Sequence, residues 1–551
     1  MGYGILESRG ALEHVPGTAQ LNDVLPENTT HLKKGTGRDA EIVLIPQPSH
    51  DPNDPLNWPL WQRDLILLLY AFCTLICVGG VGPILAVITF PILTEFNLTF
   101  QQASLLTGYQ LCVIGGVLLF VSAACVKYGK RGPFLVSLAF LIAGGILCAS
   151  SKGYHSLLGG RILQGFGSAA FESVTFSLVG DLYFVHERGS RMAFFIVSQS
   201  GLLLLPSLIA GEVAHSMGWR WIFWFLTIVT AIGAVGVILF GWETAYNRNA
   251  VYNIDTSSHN NIQIIEELKS GAEHDEDATG RYHLDRSITV SSTASKPRLP
   301  FLQRMKPWST TYSDESLIKL AIRPAYTMLN PAVLWAVIII CFSQLWNVVI
   351  NLLVAQLFAV PPYNLSTAQI GYIFTGPIVC GLIGCAICGL TSDPMCRFLS
   401  KRNGGIYEPE FRLCIMILNP LFCSLGYFLF GKLVVEEASI VVVSLVWGLA
   451  FISVQICSNA AGSYLVDAFR DISVEVFVIS MSFKSFIFFG FSYILNDWVM
   501  SWGPVKTFNT IGGIMLALSA TTIPVFVYGK RIRAWWHIHN VLAEKTVGRE
   551  T

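Results

Sequence analysis

The sequence predicts an all-α polytopic membrane protein of twelve transmembrane helices in two pseudo-symmetric six-helix bundles. Composition is the first observation behind this: of 551 residues, 53% are hydrophobic and 13% charged, with mean hydropathy +0.55, against about 25% charged residues in ordinary globular domains. The second is hydropathy patterning. A span needs roughly 20 apolar residues, and twelve such stretches fall at 64–90, 103–125, 133–150, 157–181, 191–212, 221–241, 331–356, 369–391, 412–431, 438–461, 474–496 and 505–528. The third is an internal repeat. Phe96-Asn97-Leu98-Thr99 with Gln102 matches Tyr363-Asn364-Leu365-Ser366 with Gln369, and Ser122–Val126 falls at the same offset on Gly389–Asp393. Two parallel halves with a site at their interface follow from such a repeat.

The division expected is a cytosolic tail at 1–62, a bundle at 63–246, a mobile cytosolic linker at 247–325, a second bundle at 326–530 and a C-terminal tail at 531–551. The first 60 residues are polar and lack the apolar core of a cleavable signal; they read as disordered at their start. They end in Asp51-Pro52-Asn53-Asp54-Pro55-Leu56-Asn57-Trp58-Pro59, where prolines forbid a regular helix and Trp58 and Trp61 can sit at headgroup level. The linker is rich in Ser, Thr, Asp, Glu and His.

Charge sets the orientation. Short loops on one side hold Lys127, Lys130, Arg131, Arg188, Arg191, Arg397, Lys401, Arg402, Arg412 and Arg470, while the opposite loops offer Lys152, Arg220, Lys432 and Lys506. The excess of Lys and Arg places both termini and the linker in the cytosol. Asn97 and Asn364, each opening an N-x-S/T sequon, then face outward as glycosylation acceptors. A net charge of zero argues against a nucleic-acid partner. The 13 cysteines lie mostly in apolar runs and read as packing residues rather than disulfides or metal ligands. The chain carries no membrane-facing histidine cluster, P-loop or nucleophile elbow, so nothing supports an enzyme, a metal site or a cofactor.

Chemistry concentrates on the fourth stretch. Arg161, Gln164, Ser168, Glu172 and Thr175 recur at spacings of 3, 4, 4 and 3, which puts all five on one helix face. A charge at the bilayer centre costs roughly 2.5–3.5 kcal/mol on insertion scales, so such a face turns to a bundle interior or a wet cavity. Between them Gly165, Gly167, Ala169 and Ala170 let neighbouring helices approach closely. Burial favours the protonated form of a carboxyl group, which suits Glu172 to carry a proton; its other reading is a structural ion pair with Arg161 or Lys484. Arg161 lies near the outer end of its span, within reach of the interface by snorkelling. The seventh stretch sets Gln344, Asn347 and Asn351 on one face, the tenth Gln455 and Asn459, and the eleventh places Lys484 among Phe483, Phe486, Phe488 and Phe489. With Gln164 of the fourth and Gln199 of the fifth, these amides, and Lys484 with them, suit binding of an organic solute inside apolar walls; the alternative for the amides is helix–helix bonding worth about 0.6 kcal/mol each.

Arg161-Ile162-Leu163-Gln164-Gly165-Phe166-Gly167-Ser168-Ala169 resembles the fourth-helix motif R-x-x-Q-G-x-G-x-A of the major facilitator superfamily. Gly180–Tyr183, His186–Gly189, Gly218–Trp224, Trp242–Tyr246, Arg402–Glu410, Tyr464–Asp467 and the proline-rich string before the first span resemble its fungal drug/proton-antiporter-like branch, which also contains polyamine-type transporters. The resemblance covers about 50–530 without most of the linker. It implies a proton-coupled secondary transporter, exporting a small organic molecule by alternating access and working as a monomer in the plasma membrane. A proton-coupled importer of a solute such as a polyamine, or a nutrient sensor of the same fold, are the competing readings. It also implies a part for Arg161 in proton coupling beside Glu172. Gly389-Leu390-Thr391-Ser392-Asp393 resembles the family's G-x-L-x-D gating loop; in the first copy Ser122 and Val126 replace its glycine and aspartate, so a latch there rests on Lys127, Lys130 and Arg131. The helix-five antiporter motif G-x-x-x-G-P-x-x-G-G is kept at Gly201 and Pro206, with Leu205, Ile209 and Ala210 replacing glycines.

Overall fold

In hydrocarbon a backbone polar group has no water to turn to, so a lipid-facing segment pairs its polar groups along its own helix, and most of each apolar stretch of this chain does so. The computed structural model describes residues 5–6, 17–20, 48–49, 51–246, 300–308, 310–469 and 472–539; the linker residues 247–299 and the tail residues 540–551 lie outside them. Among the described residues eleven helical stretches are long and apolar enough to cross a membrane, and the last, Val474–Ile538, runs for 65 residues. At about 1.5 Å per residue that is about three times the hydrocarbon thickness. It turns back at Gly503, whose φ of 75° and ψ of 160° leave the helical region just before Pro504. Twelve spans result among the described residues, numbered here in chain order.

Spans one to six are Leu60–Phe96, Phe100–Tyr128, Arg131–Ala149, Tyr154–Leu182, Arg191–Met217 and Trp219–Phe240. Spans seven to ten are Pro331–Phe358, Thr367–Arg402, Pro409–Val435 and Ile440–Ala468, with eleven and twelve on either side of Gly503. Span four packs against spans two and three, and span ten against seven, eight and nine. The halves meet where span two lies along span eleven, span one on seven, and span five on eight.

The repeat seen in the sequence is one joint built twice. Asn97 and Asn364 both take the left-handed conformation (φ 51° and 49°), which asparagine tolerates better than most residues. The sequon hydroxyls of Thr99 and Ser366 then cap spans two and eight, each in a capping box with Gln102 or Gln369. Both sequons thus have a folding reason of their own.

Four expectations are corrected. Residues 389–393 are not a loop: span eight continues as helix from Thr375 to Arg402, through Asp393 and Pro394. Trp58 does not sit at headgroup level but is buried edge-on against Trp242 at 5.8 Å, while Trp61 is exposed. The start of the tail is not structureless throughout: Ala19–Gln20 pairs antiparallel with Ile406–Tyr407, and Thr18 donates to Glu408 at 2.9 Å. The last part of the linker region is ordered, with helix Leu317–Thr327 packed between spans two and eleven.

Alanine at Thr99 or Ser366 removes one capping box. Each substitution is expected to cost about 1 kcal/mol, read as a lowered melting temperature of the purified protein; unchanged melting would show that the joints are held by other contacts.

Candidate functional site between the two halves

Span one is interrupted. A π-turn at Leu75–Gly79 is followed by Gly80, Gly82 and Pro83 before helix resumes at Ile84. Such a break frees carbonyls that have no water to turn to. Span four answers them: Arg161 Nη1 donates to Val81 O at 2.7 Å and to Gln164 Oε1 at 3.0 Å, and Ser168 Oγ donates to Cys77 O at 3.0 Å. Thr175 lies 3.4 Å from Thr74, hydroxyl to hydroxyl. Arg161 is completely buried, so it does not snorkel. Gln164 is equally buried, packed on Gly144 of span three rather than exposed on a cavity wall.

Glu172 leaves this arrangement and reaches the other half. Lys484 Nζ of span eleven donates to Glu172 Oε1, and both side chains are buried. This is the ion-pair alternative for Glu172, with Lys484 rather than Arg161 as the partner. Gln199 of span five donates to the Glu172 carbonyl at 3.1 Å and leaves its own Oε1 unpartnered. Asn351 Oδ1 of span seven and Asn459 Oδ1 of span ten are also buried without a partner among the described residues. Asn347 and Gln455 are buried, the latter against Gly384 of span eight. Gln344 is engaged within its own half, donating to Ser458 at 3.1 Å, which is the helix–helix bonding alternative.

The gating candidates divide between the halves. Lys130 pairs with Asp181, while the Lys130 and Arg131 amides donate to Glu243 at 2.9 and 3.1 Å. The Arg131 guanidinium donates to the carbonyls of Ile238 at 2.7 Å and of Met305 at 3.1 Å, and Lys127 to that of Glu315 at 2.8 Å. In the second half Arg412 bridges Asp393 at 2.5 Å and Asp467 at 2.8 Å. The contacts to Asp181, Glu243, Asp393 and Asp467 tie helix ends within one half, while Arg131 and Lys127 also reach Met305 and Glu315 in the segment between the halves; none of these bonds joins one bundle directly to the other. Span five breaks after the π-turn Val197–Gly201 and resumes at Leu205 with Pro206 in its first turn, where a missing amide hydrogen costs nothing. Asp181, Glu243, Arg412 and Asp467 are partners that no spacing in the sequence assigns; three of them stand in the stretches Gly180–Tyr183, Trp242–Tyr246 and Tyr464–Asp467 that carry the family resemblance, and Arg412 stands among the loop cations.

The halves are closed on the side away from the termini. Asn496 donates to Ser104 at 2.7 Å, the Tyr109 and Tyr493 hydroxyls lie 3.0 Å apart, and Tyr372 donates to Glu212 at 3.0 Å. Gly211 and Gly371 allow spans five and eight to touch: a Cβ on Gly211 would stand 2.8 Å from Gly371 Cα.

Two six-helix bundles meeting at a membrane-buried polar centre agree with the family model for the Major Facilitator Superfamily, which matches residues 67–470. The chain belongs to the major facilitator superfamily. It is 26% identical to the MFS-type transporter C1271.10c of Schizosaccharomyces pombe, over 96% of this chain and 94% of that one. It is 24% identical to protein HOL1 of Saccharomyces cerevisiae, over 96% and 97% of the two chains. With the MFS antiporter QDR3 of Candida albicans it shares 22% identity over 93% and 83%. These relatives belong to a family of transporters, not of enzymes, and this protein is an integral membrane transporter of the same family.

Removing one member of a buried ion pair strands the other charge, at about 3–5 kcal/mol, whereas replacing both by uncharged groups of similar volume is often neutral. Lys484→Met and Glu172→Gln are therefore each expected to lower the melting temperature, and the double variant to recover most of the loss. Additive losses in the double variant would show that the two side chains do not pair in the membrane.

Proposed function

We propose that the protein is a proton-coupled exporter of small organic molecules, working as a monomer by alternating access in the plasma membrane with both termini cytosolic. The observation that carries this reading is the Glu172–Lys484 pair, because it joins one half to the other inside the membrane. A proton arriving on Glu172 cancels its charge and with it the attraction that holds Lys484. The halves are then free to separate at that level, and loss of the proton on the other side draws them together again. Arg161, held at Val81 three turns away on the same span, keeps a fixed positive charge near the path and discourages a second proton from lodging there.

Solute recognition falls to the unpaired amide oxygens of Gln199, Asn351 and Asn459, with Asn347, Gln344 and Gln455 beside them on spans seven and ten. An unpartnered buried acceptor costs about 1–3 kcal/mol, and a solute bearing N–H or O–H donors recovers it. Export is favoured by the printed names of relatives: QDR3 is called an antiporter, DTR1 of Candida glabrata a multidrug transporter and vrtL of Penicillium aethiopicum an efflux pump. The Lys and Arg asymmetry of the loops supports the cytosolic placement of the termini. In that orientation the closed side is the outer one, and Asn97 and Asn364 lie outside as glycosylation acceptors. The Lys130 and Arg412 networks, with Lys127, Arg131 and Asp393, then hold the cytosolic ends of each half rigid as it rocks.

In proteoliposomes, Glu172→Gln is expected to abolish uptake driven by a pH gradient and to retain substrate counterflow. Accumulation against a gradient with unchanged pH dependence would place coupling elsewhere. Cysteine labelling of residues 247–325 is expected only after permeabilisation of cells; labelling from outside would reverse the orientation.

A further inference from the structure

Three consecutive residues of span four make a groove on the outer wall of the first half. Gly165 faces span two, where an added Cβ would lie 2.7 Å from Gln110 O, and Gly167 faces span three, where it would lie 2.6 Å from Ser137 O. The two glycines let both neighbours sit directly on span four. Phe166, between them in sequence, points out through the gap that remains between spans two and three, and stacks on Phe140 at 5.6 Å. The result is a cavity of about 790 Å³. Val117, Phe120 and Ala124 form one wall, Val136 and Phe140 the other. Its termini-side end is roofed by Trp308, Thr310 and Thr311 from the region between the halves.

We propose that this groove is a binding site for a glycerophospholipid of the leaflet on the termini side, with an acyl chain along Phe120, Val136, Phe140 and Phe166 and the phosphate at Lys127. The walls lie within membrane-spanning helices and open sideways, with Phe120 60% and Val136 42% exposed, so hydrocarbon is what reaches them. The roof supplies the change of polarity that an amphiphile needs. Lys127 is not itself a lining residue but stands one turn beyond Ala124, its amine 5.8 Å from the ring centre of Tyr128, which does line the cavity; it makes no ion pair among the described residues and donates to a neutral carbonyl, that of Glu315. Its neighbours are committed, Lys130 to Asp181 and Arg131 to backbone carbonyls. The hydroxyls of Thr310 and Thr311 add donors at the same level.

Moving a chain from bulk lipid into the groove gains no hydrophobic energy, because lipid tails are as apolar as the walls. Retention therefore rests on shape and on the charge-assisted bond between ammonium and phosphate. The same lysine anchors the segment above: the Tyr312 amide donates to Lys127 O at 2.8 Å, and Trp308 covers Gly132. A lipid seated there braces that segment and, through it, the helix Leu317–Thr327 that lies between spans two and eleven, where Arg323 pairs with Glu475 at 3.3 Å.

The test uses the full chain in phosphatidylcholine–phosphatidylethanolamine liposomes doped with a phosphatidylcholine whose acyl chain carries a diazirine. After photolysis, labelled residues are mapped by mass spectrometry. Residues 117–140 and Phe166 are expected to be labelled at least about fivefold more than the exposed face of span six at Phe225, Ile228 and Ile232. Ala124→Trp with Val136→Phe fills the groove and is expected to remove that excess, and Lys127→Ala to reduce it. Equal labelling of the two faces, or enrichment by a diazirine sterol and not by the phospholipid, would overturn the proposal. The comparison within the native chain decides the matter even where a filled variant does not fold.

Discussion

The bilayer interior contains no water to complete an unfinished hydrogen bond, and much of this structure follows from that. Span one cannot stay a regular helix through Leu75–Pro83, because a π-turn, two glycines and a proline interrupt it. Its freed carbonyls at Cys77 and Val81 would each cost several kcal/mol in hydrocarbon. Span four carries the donors that meet them, Ser168 and Arg161, at the height at which they fall. Most of the polar stripe of span four is thus a repair of span one rather than a surface for solute. Fixing those two spans to each other is also what holds Glu172 in position to reach across to Lys484.

The contact between halves obeys the same economy of small side chains. Gly108 and Gly115 of span two lie against Ser492 and Ser485 of span eleven, at matching intervals of two helical turns, and Ser482 donates to the Gly115 carbonyl at 2.9 Å. Without a hydrophobic effect between lipid-bathed helices, close backbone approach and such bonds supply the adhesion. A smooth, weakly bonded seam also suits surfaces that part and rejoin in the proposed mechanism. At the termini-side ends the two halves use related positions with the charges exchanged. Glu243, after span six, accepts the amides that open span three, whereas Arg533 at the end of span twelve donates to Glu410 at 2.8 Å and Glu408 at 2.9 Å at the start of span nine. The repeat conserves where a helix end must be tied, and leaves open which partner bears which sign.

Hydropathy and local chemistry act over a few turns of helix, so whatever depended on them was legible. Twelve spans, the division into halves, the repeat around Asn97 and Asn364 and the polar face of span four could all be read off, because each is written in runs of residue type or in spacings along the chain; that the repeat is a pair of helix caps was shown by the structure. The loop expected at 389–393 shows where this breaks down. Glycine and proline there argue locally for a turn, but span eight runs on as helix to Arg402, with Asp393 held by Arg412 of the next span. Trp58 is misread for a related reason: an aromatic near a membrane boundary suits the interface until a partner such as Trp242 offers it a pocket.

What the sequence determined by itself was therefore the set of helices, their ends and the list of polar groups that would need partners in the membrane. Which partner each group takes was decided only by the tertiary structure. Arg161, Gln164, Ser168 and Glu172 share one face in sequence, yet three settle within the first half and Glu172 alone pairs with Lys484, 312 positions away. No periodicity encodes that difference. It depends on where span one breaks and on how closely Gly108 and Gly115 bring span eleven, and both are properties of packed helices rather than of any stretch of chain.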